Sequence, residues 1–184
     1  MCSLNIAFRH FKIDVLKPNQ GEAFFNLIDS NRARLEDFFA GTVSKTKTLK
    51  DTIGYCKEIQ QRIKDKSYFP YLIIDINTNT FIGLVDVKNI DWNVPKAELG
   101  YFIDINYEGQ GVISKALKHV VEYLTVAYKF RKLLCRVGSK NEGSIHVALK
   151  NNFELEGSIR SDYKTTKGEI VDLNYYGRVF SYNN

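Results

Sequence analysis

The chain is short of the residues that staple, anchor or disorder a protein. Its 184 residues hold only 3 cysteines and 3 prolines. Cys2, Cys56 and Cys135 are an odd set without metal-ligand spacing. That speaks against a disulfide framework and against any metal site built on them, and buried free thiols are expected instead. No apolar run approaches the roughly 18 residues that a membrane helix needs. The opening segment, MCSLNIAFRHFK, lacks the apolar stretch and cleavage site of a secretory signal, so a cytoplasmic protein off the membrane is expected. Basic residues form no block, so nucleic acid is not an expected partner, although the net charge of +5 mildly favours anions. There is no repeat, no low-complexity tract and no Gly/Ser linker. Residues 1–184 read as one continuous domain, and 44% apolar content suffices for a core.

What is present is an alternation of strand and helix patterns. Phe8 to Leu16 alternates as a first strand, closed by Pro18. Two short helices are expected next, one carrying Ala23, Phe24, Leu27 and Ile28, the other Leu35, Phe38 and Phe39. Gly41 to Lys47 is polar and reads as a mobile loop. Thr48, with Asp51 three residues on, is a capping-box variant that opens a further helix through Leu49, Ile53, Cys56, Gln60 and Ile63. Tyr68 to Ile76 and Phe81 to Val87 form a hairpin around Asn77–Thr80, and Lys88 to Lys96 is a connection. Ala97 to Ile105 is the next strand. Ile113, Ala116, Leu117, Val120, Val121 and Leu124 then recur at helical spacing, the cleanest amphipathic pattern in the chain. A strand from Leu133 to Val137, a helix from Asn141 to Asn151, and strands from Phe153 to Tyr163 and from Ile170 to Phe180 complete the order. The expected fold is α/β (α+β). Its sheet is mixed, with six to seven strands: hairpins supply antiparallel pairs and two crossovers supply parallel ones.

The stretch YEGQGVISKAL, from Tyr107 to Leu117, lies between a strand and the start of that amphipathic helix. The first N–H groups of a helix lack partners, and the helix dipole adds positive charge there. Glycines let the backbone approach an anion, so the loop is suited to phosphate. A Walker loop is excluded, because Gly109 and Gly111 are only two apart. A dinucleotide fingerprint fails as well, because the third glycine position is Ser114.

Further motifs surround this loop. Glu98-Leu99-Gly100-Tyr101 precedes it, and Asn141, Ser144, Lys150, Phe153, Glu156 and Gly157 follow in the segment NEGSIHVALKNNFELEGSIR. Together these resemble the GNAT acetyltransferase superfamily, within it the Rim-type (RimL/RimJ-like) branch that contains the ribosomal-protein N-terminal acetyltransferases. The order of elements fits that branch over nearly the whole chain. The resemblance implies acetyl-CoA as co-substrate, no metal, and transfer of acetyl to a primary amine by direct attack. It implies splayed central strands that open a cleft. The backbone from Gln110 through Gly111, Val112 and Ile113 to Ser114 would hold the pyrophosphate. The strand edge at Phe102, Ile103 and Ile105 would pair with pantetheine, and a backbone N–H there would polarise the thioester carbonyl. The acceptor implied is an amine, foremost a protein N-terminus, and a homodimer is compatible with the branch.

Two positions depart from the pattern. Asn152 replaces the glycine before Phe153; a left-handed helix end there suits Asn better than other non-glycine residues. Ala148 replaces the tyrosine that many superfamily members use as general acid, which moves that role to Ser144. Glu98 is the candidate base; a regular strand puts it on one face with Gly100 and Phe102, opposite Leu99, Tyr101 and Ile103. Its alternative is pairing with a neighbouring cation. Asn141 is a candidate for the pantetheine arm and equally a helix N-cap. Trp92, on a connection, and Asp172, on the closing strand, are candidates for acceptor contacts. Two other functions stay open: acetylation of a small amine such as a polyamine or aminoglycoside, and a catalytically weak acyl-CoA-binding module.

Overall fold

Eight strands form one sheet in the order β1-β2-β3-β4-β5-β6-β8-β7 in the computed structural model, which describes residues 5–181. Cys2 lies outside the described residues. Along the chain run β1 (Asn5–Phe8), β2 (Phe11–Val15), α1 (Gly21–Leu35), α2 (Ala40–Lys45), α3 (Leu49–Lys64), β3 (Phe69–Asp75), β4 (Thr80–Asp91) and β5 (Lys96–Ile103). A 3-10 turn at Ile105–Tyr107 leads into α4 (Val112–Tyr128), followed by β6 (Lys132–Gly138), α5 (Glu142–Lys150), β7 (Glu154–Lys164) and β8 (Ile170–Val179).

Several expectations are corrected. The first strand is a hairpin of two, because Arg9 takes a left-handed φ of 54° and turns the chain back between Phe8 and Phe11. The two short helices expected before residue 40 are not separate: Phe38 and Phe39 lie in the turn beyond Leu35, and α1 runs unbroken from Gly21 to Leu35. Asn31 does not break it: buried in its interior, it donates to Leu27 O at 3.0 Å and to Asp104 Oδ2 at 2.8 Å. Gly41–Lys47 is not a loop, since most of it is the short helix α2, whose buried Thr42 carbonyl accepts from Thr46 Oγ1 at 2.9 Å. The sheet has eight strands and one parallel pairing, β5 with β6. The second crossover does not produce another, because β8 inserts between β6 and β7 and is antiparallel to both.

The capping box at Thr48 is present: its hydroxyl accepts from Asp51 N at 3.1 Å, while the Asp51 carboxylate accepts from Thr48 N at 3.1 Å. Two apolar cores cover the two faces of the sheet. Leu99, Ile103, Leu133 and Cys135 pack under α4 with Val112, Leu117, Val121 and Leu124. Leu72, Ile74, Phe81 and Leu84 pack under α1 and α3 with Phe24, Ile28, Cys56 and Ile59. On β5 this puts Tyr101 on the α4 side and Phe102 on the α1–α3 side.

Candidate active site

β5 and β6 pair only at their starts. Lys96, Ala97 and Glu98 face Lys132, Leu133 and Leu134, and beyond them the strands diverge. The backbone of Leu99–Ile103 and that of Cys135–Gly138 thus flank a gap, and a cleft of about 820 Å³ opens along it. The far ends of the two strands are held by other neighbours: β5 by β4, and β6 by β8.

The start of α4 closes one end of the cleft. Gly109 and Gly111 have φ of 71° and 72°, and Gly111 is the N-cap without a side chain to cap it. A Cβ at either glycine would meet nothing within 4 Å, so backbone conformation and not crowding demands glycine there. The first helical bond of α4 runs from Lys115 N to Gly111 O at 3.2 Å. The N–H groups of Val112, Ile113 and Ser114 therefore have no partner within the helix, and its first turn carries no acidic side chain. The loop is braced from both sides of the sheet. Arg34 of α1 donates to the Glu108 carboxylate, and Tyr107 OH donates to Asp75 Oδ2 at 3.0 Å. Behind it, the buried Asn151 Nδ2 donates to Ser114 O and Ser114 Oγ, both at 3.2 Å, and to Val147 O at 2.9 Å. This joins α5 to the first turn of α4 and occupies the Ser114 hydroxyl.

Glu98 sits where β5 and β6 part, with only 7% of its surface exposed. Its Oε2 accepts from Asn89 Nδ2 at 2.8 Å and from Arg136 Nε at 3.0 Å; its Oε1 lies 3.7 Å from Lys88 Nζ. The pairing of Glu98 with neighbouring cations is thus present, in a side chain that also lines the cleft. Across the gap, Asn141 caps α5 by accepting from Ser144 N at 3.0 Å, and Ser144 O accepts from Tyr101 OH at 2.7 Å. Burial holds the Tyr101 phenol well above its ordinary pKa, so it remains a donor. Ala148 is fully buried in the core, so that position brings no hydroxyl to the cleft.

The other end is roofed by two segments far apart in sequence. Phe38 stacks on Tyr163 at 5.7 Å and 18°, and the Tyr163 hydroxyl donates to Asp37 O. Thr166 Oγ1 donates to Asp37 Oδ1 at 2.8 Å, and Lys167 Nζ lies 3.4 Å from Glu36 Oε1 and 3.6 Å from Asp37 Oδ2.

Of the residues singled out in the sequence, Glu98, Phe102, Ile103, Gly111, Ile113, Ser114, Asn141 and Ser144 line the cleft. So do the motif residues Leu99, Gly100, Tyr101, Gly109 and Lys150, whereas the remaining candidates for catalysis or binding do not bring side chains to it. Val112 is buried in the core and offers its N–H alone. Gln110 turns its amide to Asn106 O at 2.9 Å, and Ile105 is 57% exposed in the 3-10 turn, beyond the end of β5 at Ile103. Trp92 is a correction: it stacks on Phe130 at 5.1 Å and 26° and donates from Nε1 to Lys66 O at 3.1 Å, away from the cleft. Asp172 is another, because its carboxylate accepts from Ser161 N at 2.8 Å, supporting the irregular register of β7. Sequence reasoning missed Lys88, Arg136 and Tyr163 as cleft residues, and Asn151 as the tie between the helices. The alternating strand patterns carried a signal for Lys88 and Arg136, charged residues inside otherwise apolar runs. Cys56 and Cys135 are buried free thiols; burial pushes Cys56 up to about 11 and raises Cys135 as well, which disfavours a thiolate nucleophile. Among the described residues no group of His, Cys, Asp and Glu could hold a metal ion, and no helix is long and apolar enough to cross a membrane.

A bare helix start beside a splayed pair of parallel strands, with a buried carboxylate where the strands part, suits a phosphate-bearing, amide-containing arm. That is the class of acyl-CoA-dependent transferases. The chain belongs to the acetyltransferase (GNAT) domain family, which its residues 13–154 match. GNAT acetyltransferases use acetyl-CoA. The chain is 31% identical over 98 residues to the ribosomal-protein-serine acetyltransferase of Escherichia coli, a match covering 53% of this chain and 54% of that one. It is 29% identical to the putative ribosomal N-acetyltransferase YdaF of Bacillus subtilis over 178 residues, 95% of this chain and 92% of that one. A solved structure of a ribosomal L7/L12 α-N-protein acetyltransferase with coenzyme A superposes with a TM-score of 0.87 at 20% identity, covering 97% and 98% of the two chains.

Proposed function

We propose that the protein transfers acetyl from acetyl-CoA to the α-amino group at a protein N-terminus, on a ribosomal-type acceptor, in the cytoplasm. The observation that carries this reading is one cleft that combines a bare helix start, an unpaired strand edge and a buried carboxylate. The fit to acetyl-CoA is testable residue by residue. The free N–H groups of Val112, Ile113 and Ser114 suit a pyrophosphate, and the unpaired edge of Leu99–Ile103 suits the amides of pantetheine. The co-substrate supplies an acetyl thioester activated for attack. Backbone N–H groups on the free edge of β5 are positioned to donate to the developing oxyanion. Glu98, through its less occupied Oε1, takes the proton of the attacking amine, directly or by way of a water. Ser144, at the head of α5 and fixed by Asn141 and Tyr101, faces the place where the thiolate departs and delivers a proton to it. No covalent enzyme intermediate is needed.

The acceptor follows from proton availability. At pH 7 about a tenth of α-amino groups are neutral, against less than about one in a thousand lysine amines. The Glu98 carboxylate, held by Arg136, Asn89 and Lys88, suits the easier deprotonation. A polyamine site needs several free carboxylates; of the three that line the cleft, Glu98 is held by Arg136 and Glu108 by Arg34, leaving Glu142, and Glu22, Asp29, Glu36 and Asp37 do not line it. Asp29 pairs with Arg32, while Glu36 and Asp37 pair with Lys167. Two relatives, one of them matched over 95% of this chain, are named for ribosomal acceptors, while another, matched over 44%, is a spermidine N(1)-acetyltransferase.

The test is a panel of acceptors with acetyl-CoA: N-terminal peptides of ribosomal proteins, the same peptides with blocked N-termini and internal lysines, and spermidine. Acetylation of free N-termini alone is expected. Faster turnover of spermidine would overturn the acceptor assignment. Tight acetyl-CoA binding with no turnover of any amine would make the protein an acyl-CoA-binding module.

A further inference from the structure

Behind Glu98 lies a second carboxylate that the reaction as derived does not use. Asp86 of β4 is the cross-strand neighbour of Gly100, on the same face of the sheet as Glu98. It is 3% exposed. Tyr68 OH donates to its Oδ2 at 3.3 Å, whereas Oδ1 is buried with no hydrogen-bond partner. A buried carboxylate oxygen left in this state is costly and calls for an explanation. Lys88 Nζ, from the same strand, stands between the two acids, 4.0 Å from Asp86 Oδ1 and 3.7 Å from Glu98 Oε1. Gly100 makes room for this arrangement: a Cβ there would fall 2.3 Å from Asp86 Oδ1 and 3.2 Å from Lys88 Nζ. The glycine of Glu98-Leu99-Gly100-Tyr101 is therefore fixed by Asp86 and Lys88, since its φ is ordinary.

We propose that Asp86 is a positioning residue for the base: it holds the Lys88 ammonium back from Glu98, so that Glu98 Oε1 stays open to the acceptor amine. The inference rests on the reading of Glu98 as base. Lys88 is shared between two carboxylates and forms a close pair with neither. Without the Asp86 charge, the ammonium has one anion to neutralise and moves onto Oε1, blocking it and weakening its pull on a proton. The other groups around the pair carry no negative charge, and the Phe39 ring lies 5.6 Å from Lys88 Nζ. Tyr68 and Tyr55 face Asp86 from the α3 side, with Arg62 over the Tyr68 ring. Asn89, Arg136 and the Cys135 thiol surround Glu98, with Tyr175 beyond Arg136. Nothing among these replaces Asp86 as an anion beside Lys88.

Stability moves the opposite way to activity. Burial, opposed in part by Lys88, raises the Asp86 pKa. A carboxyl raised in this way costs stability as pH climbs through its unfolded and then its folded value, and the cost is complete above both. An Asn at this position escapes it. Asp86→Asn is therefore expected to be as stable as the parent or more so at pH 7.5, yet slower.

The experiment compares the parent with Asp86→Asn, Lys88→Met, the double variant and Glu98→Gln. Turnover of an N-terminal peptide is followed against pH, and the Glu98 side-chain carboxyl is titrated by carbon NMR, with Glu98→Gln supplying the assignment. A cation drawn into direct contact moves a carboxylate titration by about one unit or more. In Asp86→Asn the Glu98 titration and the acid limb of kcat/KM should fall by about one pH unit, with kcat down about tenfold and the KM for acetyl-CoA unchanged. Lys88→Met should move both upward, and the double variant should match Lys88→Met, because Asp86 acts through the ammonium; a double variant that titrates well below Lys88→Met would show Asp86 acting on Glu98 directly and would overturn the proposal. A parental titration in Asp86→Asn would overturn the proposal, and so would a loss of turnover that Lys88→Met does not rescue. If Asp86→Asn does not fold, Lys88→Met alone decides, because an unmoved titration there also overturns it. Should Glu98→Gln keep full turnover while the NMR shifts occur, the charge coupling stands and the base assignment falls.

Discussion

Gly111→Ala isolates the cofactor loop. The substitution introduces no clash, because a Cβ at this position meets nothing within 4 Å. It must, however, adopt a φ of 72°. For a residue with a Cβ the left-handed region costs about 1–2 kcal/mol. In a chain of this size that corresponds to a fall in Tm of about 2–8 °C if the loop keeps its shape. If the loop relaxes instead, Tm changes little and the N–H groups of Val112, Ile113 and Ser114 lose their common aim. Each hydrogen bond to a charged group contributes about 1.5–3 kcal/mol, so the loss of one raises Kd for acetyl-CoA by about ten- to a hundredfold. Gly168→Ala is the control. It has a φ of 88°, also meets nothing within 4 Å, and lies in the β7–β8 turn, so it should lower Tm and leave Kd alone. Calorimetric titration with acetyl-CoA and thermal melts of both variants make the comparison. If Gly111→Ala changes neither Tm nor Kd, the loop does not work as described here.

Glu98→Gln keeps the shape of the side chain and its contacts with Asn89 and Arg136 but removes the base; kcat for a peptide N-terminus should fall about a hundredfold, with acetyl-CoA affinity within about twofold of the parent. Unchanged turnover at neutral pH would remove the assignment. Ser144→Ala should lower kcat about tenfold and leave folding intact, because only the backbone of Ser144 is held by Asn141 and Tyr101; a comparison of melts and turnover checks this. Thr48→Ala removes one half of the capping box and should destabilise by about 1 kcal/mol in a urea titration, with no effect on acetyl-CoA binding.

The parts of the fold that were legible in the sequence rest on local chemistry. The capping box at Thr48, the left-handed Asn152 with φ of 59° and the glycine-capped start of α4 are each specified within a few residues. The parts that were not depend on distant partners. Asn31 looks like a break until Asp104, far along the chain, is there to accept from it. The turn at Arg9 has no glycine or asparagine to announce it. The site divides in the same way. The loop, and the placing of Glu98 and Ser144 in the cleft, could be read from motifs, whereas Lys88, Arg136 and Asp86 become a cluster only through the register of β4, β5 and β6. Trp92 and Asp172 were placed by sequence context alone, and tertiary packing uses both for other purposes.

Only three residue pairs join β5 to β6, so the sheet is nearly two sheets. One half runs from β1 to β5, the other from β6 to β7. On the proposed reading, a bound pantetheine arm would act as a short additional strand that joins them. Ligand binding of this kind adds folding stability of about RT ln(1 + [L]/Kd), or about 2.7 kcal/mol at a hundredfold excess over Kd. The backbone amides of Leu99–Ile103 should then exchange with solvent more slowly in step with co-substrate concentration. On that reading the stability of the folded enzyme would track the acyl-donor supply, and loss of the donor would loosen the protein along this one seam.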